Sequence, residues 1–197
     1  MPTVVAAGFL DNVWTFLTDG SHWQGSEGIP HLALQHLQLT VVSGVVAAAI
    51  ALPIGIGLGH LRKAGALAIN VANIGRALPA LALLILAVQW FGIGTPTGIL
   101  ALVHSLPAFI AMVALAVPPM VANSYVGVSG VDEEVREAAR GMGMNGRQVL
   151  WRVELPMALP LIMAGVRTAI VAIVATATLA AYVNGGGLGT LISVGFA

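Results

Sequence analysis

Sixteen charged side chains, five histidines and no cysteine are the chemically versatile residues among these 197. Without Cys the chain offers no thiolate nucleophile, no disulfide framework and no Cys-ligated zinc or iron–sulfur site. A phosphate-cradling loop of the form GxxxxGK[ST] requires its lysine. The sole lysine, Lys63, lies between Arg62 and Ala64, so this chain is excluded as an ATPase. The run Gly185-Gly186-Gly187-Leu188-Gly189 also lacks a lysine and reads as a hinge or close-packing turn. His22, His31, His36, His60 and His104 show no HExxH or other metal-ligand spacing. Ser105, beside His104, has no nucleophile context. No catalytic residue, metal site or cofactor is expected in this chain.

Chemistry of a different kind is concentrated in residues 129–156, SGVDEEVREAARGMGMNGRQVLWRVELP, which hold nine of the sixteen charges. Asp132 is a good N-cap, with Glu133 and Glu134 in a first turn where the helix dipole favours anions. Val135, Ala138, Ala139 and Met142 recur at i, i+3, i+4 and i+7, a small-residue apolar stripe. Asp132/Arg136 and Glu137/Arg140 are spaced to pair on the wet faces. Gly141 and Gly143 end this helix. Asn145 followed by Gln148 is a variant capping box that starts a second helix running through Val149, Leu150 and Val153 to Pro156.

The elements that position this hairpin are membrane helices. The chain is 58% hydrophobic and only 8% charged, against about 25% charged in a soluble domain. Charge-free gaps follow Glu27, Arg76 and Arg167, and about 20 apolar residues cross a bilayer core of about 30 Å. Four spans are expected, at about 37–59, 66–91, 98–121 and 159–182. Pro107, Pro118 and Pro119 interrupt the third, which bundles tolerate when neighbouring helices satisfy the freed carbonyls. The second and third are joined by a tight turn at 92–96. Residues 1–35, the 92–96 turn and the 184–197 tail hold no Lys or Arg, so the positive-inside rule puts the N-terminus outside and 129–156 in the cytoplasm. Leu10, Val13, Trp14 and Leu17 share one face, predicting an amphipathic helix lying on the membrane surface. No basic residue lies in 1–8, which argues against a signal peptide. The chain thus divides into an extracytoplasmic segment, 1–35, and a transmembrane domain, 36–197.

The hairpin carries a resemblance. Glu137-Ala138-Ala139, three residues, Gly143, nine residues, then Val153-Glu154-Leu155-Pro156 resembles the EAA loop of permease subunits from ATP-driven (ABC) importers of the type I, binding-protein-dependent class. The resemblance implies an all-α bundle in the cell (inner or plasma) membrane, whose first hairpin helix docks into a groove of a cytosolic ABC ATPase that binds the ATP. It assigns that coupling role to Glu137, Ala138, Ala139 and Gly143, with Arg140 and Met144 beside them. It also implies an extracytoplasmic solute-binding protein and a second permease copy or paralogue, with lipid around the bundle and no nucleic acid. From about residue 36, Leu78-Pro79-Ala80-Leu81-Ala82, EAARGMG, RVELP with Ala158-Leu159-Pro160, and Thr176-Ala177-Thr178-Leu179-Ala180 before GGGLG resemble permeases for osmoprotectants: glycine betaine, choline, carnitine and proline. Members of that group usually carry a further span after GGGLG. Relative to them this chain is either truncated or one helix short.

Candidates for the translocation path are Arg76, Pro79, Asn123, Tyr125, Arg167 and Asn184. Arg76 and Arg167 are each followed by about 15 charge-free residues, about 22 Å of helix, which places them at or slightly inside the cytoplasmic boundary. They either snorkel or line the inner mouth. Buried amides and hydroxyls in spans also make ordinary interhelical hydrogen bonds, and His104 is either packed or pore-lining. Trp90 or Tyr125 could attract a cationic solute head by cation–π interaction. The alternatives are a permease for another small solute, such as an amino acid of the methionine type, and a non-transporting scaffold with an adaptor hairpin.

Overall fold

The computed structural model of the protein describes residues 2–63, 65, 70, 73, 79–92, 103 and 105–195. Among them there is no strand. The elements in order are α1 (Pro2–Thr18), a 3-10 turn (Gly20–Trp23), α2 (Ile29–His60), α3 (Ala80–Phe91), α4 (Leu106–Ser129), α5 (Glu133–Gly141), α6 (Gly146–Ala177), a 3-10 turn (Leu179–Val183) and α7 (Gly189–Gly195).

Among the described residues three helices, α2, α4 and α6, are long and apolar enough to cross a membrane. The fold class therefore agrees with expectation, but the span boundaries need correction. Extended backbone at Gly28 and Pro30 in the first turn start α2 well before residue 37, adding the polar turns that carry His31, Gln35 and His36. Ser105 caps α4, accepting from the Ala108 N–H at 3.4 Å, and the helix runs from 106 to Ser129 rather than from 98 to 121. Pro156 does not end the hairpin's second helix: α6 is continuous from Gly146 to Ala177, passing through a π-helical turn at Leu150–Glu154. That wider turn, with Leu155 N–H bonded back to Leu150 C=O, moves aside the carbonyl that a proline ring would strike in a regular α-helix. Of the expected second span only α3 is described as a continuous helix, at 12 residues. Gly92, at φ +71, closes it, and residues 93–96 of the expected turn lie outside the described residues.

α4 is the hub. More than half of its apolar window is buried (56%), against 28% for those of α2 and α6, and it packs against α2, α3 and α6. The approach is close because small residues line it. On α2, Leu39, Ser43, Ala47, Ala51, Gly55 and Gly59 fall at four-residue intervals and are all buried. A Cβ on Gly55 would stand 2.6 Å from the Val121 carbonyl oxygen. One on Gly59 would stand 2.8 Å from Val128 Cβ. On α6, a Cβ on Gly165 would meet Asn123 Cβ at 2.6 Å and the Pro119 carbonyl oxygen at 3.0 Å. Lipid tails are as apolar as the helices, so association within a bilayer relies on this kind of intimate contact.

At the end of the bundle away from the hairpin, Asn184, Gly186 and Gly187 take positive φ, and the Gly187 N–H donates to Gln35 Oε1 at 3.0 Å. The glycine run is thus a turn closed against the start of α2. α1 exposes Leu10, Val13, Trp14 and Leu17, along with the polar residues between them. After it, Asp19 caps the 3-10 turn. Its carboxyl is held below its ordinary value by the Ser21 backbone N–H and then by the Ser21 hydroxyl, so this cap holds at neutral pH and weakens as the pH falls through that lowered value.

Gly55→Ala is expected to lower the melting temperature of the detergent-solubilised protein, because overpacking a tight contact costs about 1–3 kcal/mol. Gly57→Ala, where nothing lies within 4 Å, is expected to leave it unchanged or slightly raised. Equal melting of the two variants would contradict the close crossing of α2 and α4.

Candidate functional site

The hairpin forms as its local sequence dictates. Asp132 Oδ1 accepts from the Glu134 N–H at 3.0 Å, capping α5. Asn145 and Gln148 make the full capping box, with reciprocal bonds of 2.9 and 2.8 Å, and start α6. Between them Gly143, at φ +86, reverses the chain, and the Met144 N–H donates back to the Ala139 carbonyl at 3.2 Å. Only a glycine takes that conformation without strain.

The charges are arranged differently from the expectation of solvated i,i+3 and i,i+4 pairs. Arg136 is 3% exposed and Glu154 fully buried. Arg136 Nε lies 2.7 Å from Glu154 Oε1. The contact is not aligned as a hydrogen bond, so the attraction is coulombic, and Oε1, Nε and Nη1 have no aligned hydrogen-bond partner among the described residues. The other carboxylate oxygen is hydrogen-bonded to His60 Nδ1 at 2.5 Å. Arg136 Nη2 donates to the His60 carbonyl at 3.2 Å. Arg62, in left-handed backbone at φ 49, donates from Nη2 to the Val131 carbonyl at 2.7 Å and pairs with Glu133. Glu133 in turn receives Arg140 Nη1 at 3.4 Å, so Arg140 pairs with Glu133 and not with Glu137. One polar cluster therefore joins the end of α2, the inner face of α5 and the π turn of α6.

This clamp sorts the predicted hairpin residues. Of the apolar stripe, Ala139 turns inward (2% exposed), whereas Val135, Ala138 and Met142 are exposed. Glu137, Arg140 and Gly143 are exposed as well, and Met144 is half-buried. The outer face of α5 is thus an acidic, small-residue surface with two apolar side chains, and no described residue covers it. Arg136, Glu154 and His60 were missed as a unit. The available signal was an acidic residue, Glu154, beside an otherwise apolar span.

The path candidates are not gathered at one place. Arg76 and His104 lie outside the described residues. Asn123 donates from Nδ2 to the Pro119 carbonyl at 2.7 Å, at the α4–α6 crossing. Tyr125 packs against the core beside Gly65. Arg167 is exposed on α6, in an open hollow of about 600 Å³ with Pro160, Met163, Ala164, Thr168 and Val171. Pro79 precedes α3, and Asn184 is the left-handed residue of the far turn. Ser105 is a buried cap whose hydroxyl donates to the Val183 carbonyl at 3.0 Å.

Comparison with known proteins bears on this geometry. The family described as "Binding-protein-dependent transport system inner membrane component" matches residues 44–196. The chain is 34% identical to a glycine betaine/carnitine/choline transport system permease protein of Bacillus subtilis (strain 168), over 82% of this chain and 70% of that one. It is 34% identical to a carnitine transport permease protein of Listeria monocytogenes, over 93% of this chain and 77% of the other. Among solved structures, inward-facing conformations of the MetNI methionine ABC transporter superpose with a TM-score of 0.65 at 26% identity, over 80% of this chain and 74% of that chain.

Arg136→Ala is expected to destabilise the protein by about 3–5 kcal/mol, the usual cost of stranding a buried charge. The double variant Arg136→Met/Glu154→Leu is expected to recover most of that loss. Thermal melts of the purified variants check this: a double variant no more stable than Arg136→Ala would show that the pair is not the source of the effect.

Proposed function

The chain belongs to the family of binding-protein-dependent transport system inner membrane components, and from that premise we propose that it conducts a compatible solute of the glycine betaine, choline, carnitine or proline class into the cytoplasm. It is a permease, not itself an enzyme. In the proposed complex, ATP is bound and hydrolysed by cytosolic ABC subunits, an extracytoplasmic binding protein delivers the solute, and a second permease copy or paralogue completes the path.

The observation that carries the coupling role is the division of α5 into a clamped inner face and an uncovered outer face. A partner pressing on Glu137, Ala138 and the neighbouring Val135 and Met142 moves a helix locked by Arg136 and Glu133 to the ends of both α2 and α6. A push on the hairpin is then passed to two long helices at once rather than lost in a loose loop. Gly143 serves this arrangement by holding the turn, and Arg140 by bracing Glu133. The absence of Lys and Arg from 1–35 supports an outside N-terminus, with α1 on the outer surface and the hairpin in the cytoplasm. The solute class is supported by the names of the relatives at 34% identity. A methionine-type solute is the second reading, favoured by the superposition on the methionine transporter.

Arg167 in its open hollow remains the described candidate for the inner mouth of the path. The charge on an exposed position within an apolar helix is costly, so a role in passing solute would explain its retention. Asn123 and Tyr125, half-buried near the helix crossings, are second to it.

Reconstitution with candidate ATPase and binding-protein subunits, followed by ATP-dependent uptake of labelled glycine betaine with methionine as competitor, tests the solute class; uptake that methionine but not choline suppresses would sink the osmoprotectant assignment. Ala138→Trp is expected to leave thermal stability unchanged and to lower coupled uptake by about tenfold, the effect of about 1.4 kcal/mol at an interface, while ATPase activity persists. Arg167→Gln is expected to reduce uptake without reducing the amount of protein in the membrane. Unchanged uptake in that variant removes Arg167 from the path.

A further inference from the structure

The inward turn of Glu154 leaves the opposite side of the same segment with cations alone. Arg147 and Arg152 are both exposed, and no described carboxylate pairs with either. They line one hollow of about 320 Å³ with Trp151, which is 63% exposed, and with Asn145 and Gln148, whose backbone and side-chain groups are partly used by the capping box. Immediately along the helix, the exposed side chains turn apolar: Met157 and Leu159 are each 53% exposed. From Arg152 to Met157 the helix rises about 7.5 Å, close to the roughly 5–7 Å depth of one headgroup layer. Tryptophan favours that layer because its ring is apolar and its N–H polar.

We infer that this hollow is a binding site for the headgroup of an anionic phospholipid, with Arg147 and Arg152 holding the phosphate, Trp151 at the glycerol level and the acyl chains against Met157 and Leu159. The match is one of charge and spacing: two guanidiniums with no described carboxylate partner precede exposed apolar side chains by about the depth of a headgroup layer. Arginine presents a fork of N–H donors to phosphate oxygens, and a basic residue at an anionic surface gains about fivefold in relative affinity. Trp151 and Arg152 belong to the π turn of α6 itself, so an occupied headgroup braces the segment that carries Glu154. Anionic lipid would then set how firmly the hairpin is held. This regulatory consequence rests on the coupling role proposed above; the lipid site itself does not.

The test uses the full chain in nanodiscs made with brominated phosphatidylglycerol or brominated phosphatidylcholine as the quencher, in otherwise identical lipid. The Trp151 contribution is isolated by difference from Trp151→Phe. Phosphatidylglycerol is expected to quench that component in preference to phosphatidylcholine, with the preference falling about fivefold for each of Arg147→Gln and Arg152→Gln. Arg152→Lys is expected to retain most of it. Equal quenching by the two lipids, or a preference untouched in the Arg147→Gln/Arg152→Gln double variant, overturns the proposal. So does a double variant that no longer co-purifies with the ATPase while keeping its lipid preference, since the hollow would then be part of the subunit interface. The measurement needs neither ATP nor uptake, so a failed coupling role shows itself separately, in Ala138→Trp.

Discussion

A carboxylate withdrawn from water requires a cation and hydrogen-bond donors, and the arrangement around Glu154 follows from that requirement. Removing both charges of an ion pair from solvent costs several kcal/mol per ion before their attraction is counted. Glu154 meets a guanidinium from α5 and an imidazole nitrogen from the end of α2. Because the compensating groups belong to separate helices, the hairpin cannot separate from the bundle without stranding one of the charges. The same geometry holds the inner face of α5 against the bundle while Glu137 and Ala138 on its outer face stay exposed.

The bundle that receives this clamp is built for close contact. α4 is enclosed by neighbours, and the glycines of α2 and α6 bring backbones near enough that an added methyl would collide with carbonyl oxygens. Such interfaces are bistable rather than compliant: packed helices shift as bodies, because sub-ångström gaps forfeit much of the dispersion energy. A displacement at the hairpin therefore has an obvious recipient in the ends of α2 and α6. The π turn lies where the hairpin joins the long helix, and it accommodates Pro156 while turning Glu154 inward.

Much of this was legible locally. Caps at Asp132 and Asn145, the turn at Gly143 and the spacing from Glu137 to Pro156 are short-range features, and local hydrogen bonding reproduces them. The stripe of Val135, Ala138, Ala139 and Met142 was read as one surface, yet only Ala139 faces the bundle. Helical periodicity identifies a face without saying which half of it another element covers. The expected pairs Asp132/Arg136 and Glu137/Arg140 failed for a related reason. Local i,i+3 and i,i+4 partners contribute only a few tenths of a kcal/mol, and a buried carboxylate outcompetes Asp132 for Arg136. The four-residue succession of small residues along α2 was visible in the sequence but has no local signature of which helix it meets.

By itself the sequence determined that this protein belongs in a membrane, that its charges gather into one polar hairpin, and that the hairpin is capped and spaced like those of importer permeases. Those conclusions rest on composition and on neighbours a few residues apart, where propensity and capping act. Tertiary structure alone decided that Glu154 and His60, 94 residues apart, share a hydrogen bond, and that Arg136 joins them. It also decided that α6 passes unbroken through Pro156. The physical reason is the same in each case: burial changes the cost of a charge or a carbonyl, and burial is set by which distant segments meet.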